Sequence, residues 1–183
     1  MANAFVPRET VHQWSETIGA NPQEHQAPLN RLLREQRRLA RFVDENKESM
    51  APGTAQITTY LVGVVARMFD LAGGQMKAAS WDQMRAAEKR VQATVAQLLP
   101  VDAGFAARAR TVPRAQPHML DEALMALFER PKKEGEPDLH EVEKVKCYLT
   151  LWVCTEVLDE NWRPSKAFQG EKDYTHVPIV PKA

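Results

Sequence analysis

The sequence predicts an all-α fold, a bundle of five main helices preceded by a short one and followed by an extended tail. Three observations carry this. The β-branched residues nowhere alternate with polar ones for long, glycine is scarce at 8 of 183 residues, and apolar residues recur at helical spacing over five separate stretches. The chain is long enough for one proper core, so residues 1–160 are expected to form a helical bundle domain and residues 161–183 the tail.

The organising stretch is Thr54 to Ala72, uncharged before Arg67. On a helix, Ile57, Leu61, Val65, Met68 and Ala72 form the middle of its apolar stripe. Tyr60, Val64 and Leu71 widen it on one side, Val62 and Phe69 on the other. An arc that broad needs neighbours on several sides, so this helix is expected to be the central post.

In chain order, Arg8 to Ile18 is a short helix with Val11, Trp14 and Ile18 inward, stopped by Gly19 and Asn21-Pro22. Pro28 breaks any helix begun at Asn21 and starts the next, which runs to Met50 with Leu29, Leu32, Leu33, Leu39, Ala40 and Val43 on one face. After the central helix Gly73 takes the left-handed cap position. Ser80 and Gln83 form a capping box opening Trp81 to Leu99, striped by Met84, Ala87, Val91, Val95 and Leu98. Pro100 to Gln116 has two prolines and no period, and is expected to be a loop. Pro117 to Arg130 is the fifth helix, with Leu120, Ala123, Leu124, Leu127 and Phe128 inward. Asp138 and Glu141 cap the last, which runs to about Glu160, is apolar nearly all round in its middle, and ranks second in burial.

The balance of 24 basic against 24 acidic residues removes whole-molecule attraction to nucleic acid or anionic membranes. No stretch has membrane-spanning character, since Pro52, Gly53, Gln56, Thr58 and Thr59 interrupt the uncharged run from Ser49 to Ala66. Cys147 and Cys154 lie seven residues apart on one helix, too far to bridge. Two free thiols and no leader-like N-terminus suit a cytoplasmic setting.

The strongest functional signal is a stripe of arginines: Arg31, Arg34, Arg37, Arg38 and Arg41, opposite the leucines. It precedes Asp44, Glu45 and Glu48, the reverse of what the helix dipole favours, and sets like charges at i,i+4 spacing. Something outside the helix must compensate: acidic groups of the same fold, an acidic protein, or phosphates. Arg108, Arg110 and Arg114, in the acid-free segment Ala103 to Leu120, add a second basic surface.

Other chemistry finds little support. Glu9 and His12 form a single Glu-x-x-His where a di-iron bundle needs two, and read as a surface pair. His118, Asp121 and Glu122 share one helical turn, where acids already suit the dipole. Glu156 falls on an apolar face, with Arg67 as its candidate ion-pair partner. No nucleophile triad, phosphate loop or dinucleotide fingerprint occurs, so no metal, cofactor or catalytic residue is assigned. The tail carries anchors at Trp162, Phe168, Tyr174 and Ile179, and its Val177-Pro178-Ile179-Val180-Pro181 run is pre-extended to dock on its own bundle or a partner. The sequence thus favours a non-enzymatic protein acting through protein contacts, as a homo-oligomer or an assembly subunit. The alternative is a nucleic-acid-binding subunit using both arginine surfaces.

Overall fold

The computed structural model describes residues 2–179. Eight α-helices form among them: α1 (Arg8–Ala20), α2 (Pro22–Glu35), α3 (Arg37–Lys47), α4 (Pro52–Ala72), α5 (Trp81–Leu98), α6 (Phe105–Thr111), α7 (Pro117–Leu124) and α8 (Glu141–Asn161). A π-helical turn, Met125–Glu129, continues α7, and Gln75–Met76 (β1) pairs antiparallel with Trp162–Arg163 (β2). None of these helices is long and apolar enough to cross a membrane.

The two longest helices, α4 and α8, pack against each other at the centre, with α5 against α8 and α1, α2 and α3 around α4. Of the two, α8 is the more enclosed: twelve of its residues are buried against nine of α4. This reverses the expected ranking. The apolar middle of α8 explains it, since Cys147, Leu151, Cys154 and Val157 leave it no face suited to water. Burial pushes the Cys147 thiol up to about 11 and raises Cys154 as well, so both behave as small core residues. The buried arc of α4 is also rotated from the expected one. Thr54 and Thr58 are fully buried beside Val62, Val65 and Phe69, whereas Tyr60 is exposed. Thr58 manages burial by donating to the Thr54 carbonyl at 2.8 Å.

Two of the local stop and start signals read from the sequence operate. Gly73 ends α4 with φ +75°, and Ser80 and Gln83 form the reciprocal capping box of α5. Gly74 has φ +101°, and a Cβ there would lie 2.3 Å from the Arg163 carbonyl oxygen, so the β1–β2 crossing requires glycine.

Four expectations are corrected. Pro28 does not start a helix; α2 begins at Pro22 and passes through it. Packing outweighs the lost backbone bond here: α2 lies against α4, where Gly63 has no Cβ to obstruct Leu29. The helix expected from Pro28 to Met50 is two, parted at Gln36 (φ −100°, ψ 50°). Gln36 is 2% exposed; its amide donates to the Lys77 carbonyl at 2.8 Å and accepts from the Ala79 N–H at 3.0 Å. The expected loop at 100–116 contains α6, whose Phe105, Ala106 and Ala109 are buried. Finally, His140 rather than Asp138 caps α8, accepting from the Val142 N–H, and Asp138 pairs with Lys132 instead.

The tail crosses back over its own bundle. Trp162 is buried between Phe69 and Phe168 and donates to the Gly73 carbonyl. Further along, Glu171 and Phe5 exchange backbone hydrogen bonds at 2.7 and 2.8 Å, tying the tail to the N-terminal arm. Gln116 holds the same arm: in a left-handed conformation (φ 43°) and 1% exposed, it accepts from the Val6 N–H and donates to the Ala4 carbonyl and Asp159. Val180 and Pro181 of the expected tail motif lie outside the described residues.

Candidate functional site

The break at Gln36 divides the arginine stripe. Arg31 and Arg34 fall in the C-terminal half of α2, where the dipole favours cations, while Arg37 and Arg38 open α3, where it disfavours them and the first turn holds no acid. Three of the five have partners within the fold. Arg31 pairs with Asp70 at 3.5 Å, Arg38 donates to the Ala79 carbonyl at 3.3 Å, and Arg41 pairs with Glu45 at 2.8 Å while lying over the Trp81 ring. Arg34 and Arg37 are exposed and have no hydrogen-bond or ion-pair partner among the described residues. They border an open groove of about 610 Å3 with Leu33, Ala40, Arg41 and Asp44.

The second basic surface does not exist as a surface. Arg108 donates to the Leu98 and Pro100 carbonyls and to Asp102. Arg110 forms a bidentate pair with Glu129. Arg114 is buried with Asp121, Tyr148 and Tyr174 around it. Arg108 turns back onto the end of α5 and the loop before α6, Arg110 reaches the π-helical turn, and Arg114, which follows α6, reaches α7.

Asp121 belongs to α7, and here the structure gathers groups the sequence left as an ordinary helix start. His118, Asp121 and Glu122 are all buried, at 1%, 0% and 8% exposure. Glu122 takes Arg8 at 2.6 Å and His12 at 3.1 Å. Asp121 takes Arg114 at 3.0 Å, Arg110 at 3.6 Å, the Tyr174 hydroxyl at 2.6 Å and His176 at 3.4 Å. His118 meets Glu171 at 2.9 Å. The tail is therefore fastened to α7 through two histidines and a tyrosine. Burial and the adjacent Asp121 carboxylate raise the Tyr174 phenol, and burial raises that of Tyr148. For Arg114 burial works against the charged form, but Tyr148 and Asp121 outweigh it and its pKa rises. The hydrogen bonds from Arg110 hold Glu129 below the usual carboxylate range.

His12 faces Glu122 rather than forming the expected surface pair with Glu9. With Glu16 these residues place one ligand atom each within 4.8 Å of one another, a donor set of borderline type. The Arg8 guanidinium already occupies Glu122 Oε2, and its charge opposes a cation there. The expected Arg67–Glu156 pair is absent. Arg67 bonds to Asp70 and His25, whereas Glu156 accepts from the Trp152 indole at 2.9 Å and the Ala115 N–H at 2.8 Å.

Nothing in this arrangement supplies a nucleophile paired with a base. The guanidinium–carboxylate network fastens α1, α6, α7 and the tail together, whereas Arg34 and Arg37 beside the groove have no partner among the described residues. No family model, curated protein or solved structure matches the chain.

Proposed function

We propose that the protein is a non-enzymatic interaction protein whose α2–α3 groove receives an acidic segment of a protein partner in a cytoplasmic assembly. The observation that carries this reading is Arg37. It lies in the first turn of α3, where the helix dipole repels a cation, and finds no counter-charge among the described residues. A carboxylate from outside would relieve that repulsion and engage Arg34 in the same contact. Leu33 and Ala40 give the groove an apolar part, which suits an amphipathic acidic helix better than a bare polyanion. The alternative, a nucleic-acid-binding role, loses its second surface, since Arg108, Arg110 and Arg114 are engaged internally.

The test compares the wild-type chain with an Arg34→Glu/Arg37→Glu variant. Affinity purification from the native host, read by mass spectrometry, is expected to recover a protein whose acidic segment cross-links to α2–α3, and to lose it with the variant. Self-association abolished by the same substitutions, seen in sedimentation, would assign the groove to a second copy. Steeply salt-dependent binding of RNA or DNA, lost in the variant, would replace the reading with the nucleic-acid one.

A further inference from the structure

The groove beside Arg34 and Arg37 is not basic throughout. Asn30, Leu33, Arg37, Ala40 and Asp44 recur along it at alternating steps of three and four residues, the spacing of a helix–helix seam. Residues from both sides of the Gln36 break line it. Arg34 and Arg37 stand toward its N-terminal end. Asp44 stands at the other, and Glu48 follows one turn on, exposed and in right-handed helical conformation. Glu48 has no ion-pair partner among the described residues. Asp44 meets Lys47 through Oδ1, in a pair that leaves the Asp44 side chain 71% exposed. A pair so open contributes at most about 1 kcal/mol.

A seam basic at one end and acidic at the other is complementary to itself turned end for end. Arg37 and Asp44 have their midpoint between Ala40 and Arg41, and Arg34 and Glu48 have theirs at Arg41. The two midpoints differ by under about 1 Å along the helix, so a single two-fold axis satisfies both pairs. Ala40, beside that axis, has the small side chain that lets two helices approach closely, and Leu33 adds apolar contact on either side. Arg41 would face its own copy, but Glu45 and the Trp81 ring draw its guanidinium aside. A polyanion, or a wholly acidic helix running the length of the groove, would relieve Arg34 and Arg37 but meet Asp44 and Glu48 with like charge.

We propose that the acidic segment received by the groove is residues 44–48 of a second copy, the two α2–α3 seams packing antiparallel about a two-fold axis at Ala40 and Arg41. This rests on the reading of the groove as a docking surface. Arg37 of each chain lies against Asp44 of the other and Arg34 against Glu48, and the symmetry makes each pair twice.

The experiment is sedimentation of the full chain at low and high salt. The wild type is expected to dimerise and to dissociate as salt screens the pairs. Arg34→Glu/Arg37→Glu makes the seam acidic throughout, and Asp44→Arg/Glu48→Arg makes it basic throughout. Each is expected to weaken self-association at least about tenfold. Mixed one to one, the two variants are expected to form a heterodimer, because all four pairs between the chains are then opposite in charge. Circular dichroism checks that both fold. Ala40→Trp fills the closest approach without touching a charge, and is expected to abolish the dimer even where a charge variant does not fold. A wild-type chain still monomeric at about 100 μM in low salt, folded variants that do not combine, or a dimer unchanged in Ala40→Trp would overturn the proposal. A monomeric wild type that recovers an acidic protein cross-linked to α2–α3 would overturn it and leave the docking reading standing, whereas neither dimer nor recovered protein would remove both.

Discussion

Arg114 and Asp121 meet at 3.0 Å with neither side chain reaching solvent. Two tyrosine hydroxyls complete the cluster, Tyr148 at 3.3 Å from Arg114 and Tyr174 at 2.6 Å from Asp121. A pair so enclosed is expensive to break, because removing one charge leaves the other buried and uncompensated. Asp121→Asn is expected to lower stability by about 3–5 kcal/mol and Tm by roughly 10 °C, read by urea unfolding and calorimetry. A loss under about 1 kcal/mol, the scale of an exposed pair, would show that water reaches the cluster.

Gln36 tests why the arginine stripe is bent. Its amide satisfies the buried Ala79 N–H and the Lys77 carbonyl. Gln36→Leu is expected to cost about 2–3 kcal/mol, since a buried donor loses its acceptor. If the two helices instead join into one, Arg31, Arg34, Arg38 and Arg41 will share a face, and nuclear magnetic resonance shifts at residues 35–38 will turn helical.

Acid stability should depend on Glu143. Its carboxylate accepts from the Ala51 N–H at 2.9 Å and pairs with Lys146 at 3.0 Å, linking the start of α4 to that of α8. The Ala51 N–H and then Lys146 lower its pKa from 4.5 to about 2. Between those values the folded chain binds fewer protons here than the unfolded one, so the contribution is complete above pH 4.5 and disappears as pH falls through about 2. In Glu143→Gln the dependence of unfolding free energy on pH across that window should shrink by up to about one proton.

The tail makes a kinetic prediction. Tyr174→Phe removes the hydroxyl that Asp121 accepts and Arg114 contacts, leaving the Phe5–Glu171 exchange and the His118–Glu171 pair. Limited proteolysis should then cut the tail several-fold faster, as loss of about 1–2 kcal/mol of local stability implies, while α8 stays intact. High pH should act in the same direction in the wild type. The Tyr174 phenol is raised in the fold, so its contribution holds below its unfolded pKa and is lost as pH rises past it.

The helices readable from the sequence were those whose signals are local. Ser80 and Gln83 meet across three residues, and Gly73 needs no partner to adopt positive φ. What could not be read depends on distant groups. Gln36 breaks a helix for a segment 41 and 43 residues away, and Pro28 is tolerated because Leu29 packs at Gly63. Charge patterning misled at Arg108, Arg110 and Arg114 for the same reason, since an acid-free stretch of sequence is not an acid-free neighbourhood in space. Asp102 sits one residue before the stretch, Asp121 comes from the following helix, and Glu129 from the turn after it. The one signal that pointed to α7 was three titratable side chains in a turn whose dipole already explained two of them.

The turn at Met125–Glu129 carries one residue more than an α-helical turn between its bonded ends, the Arg130 N–H reaching the Met125 carbonyl. Deleting a single residue there would let α7 close with ordinary i→i+4 bonds while Arg130 still answered the Met125 carbonyl, so the register beyond the turn would be kept. The surplus residue is absorbed inside the turn, and what it sets is the placing of the side chains within it, Glu129 on Arg110 among them.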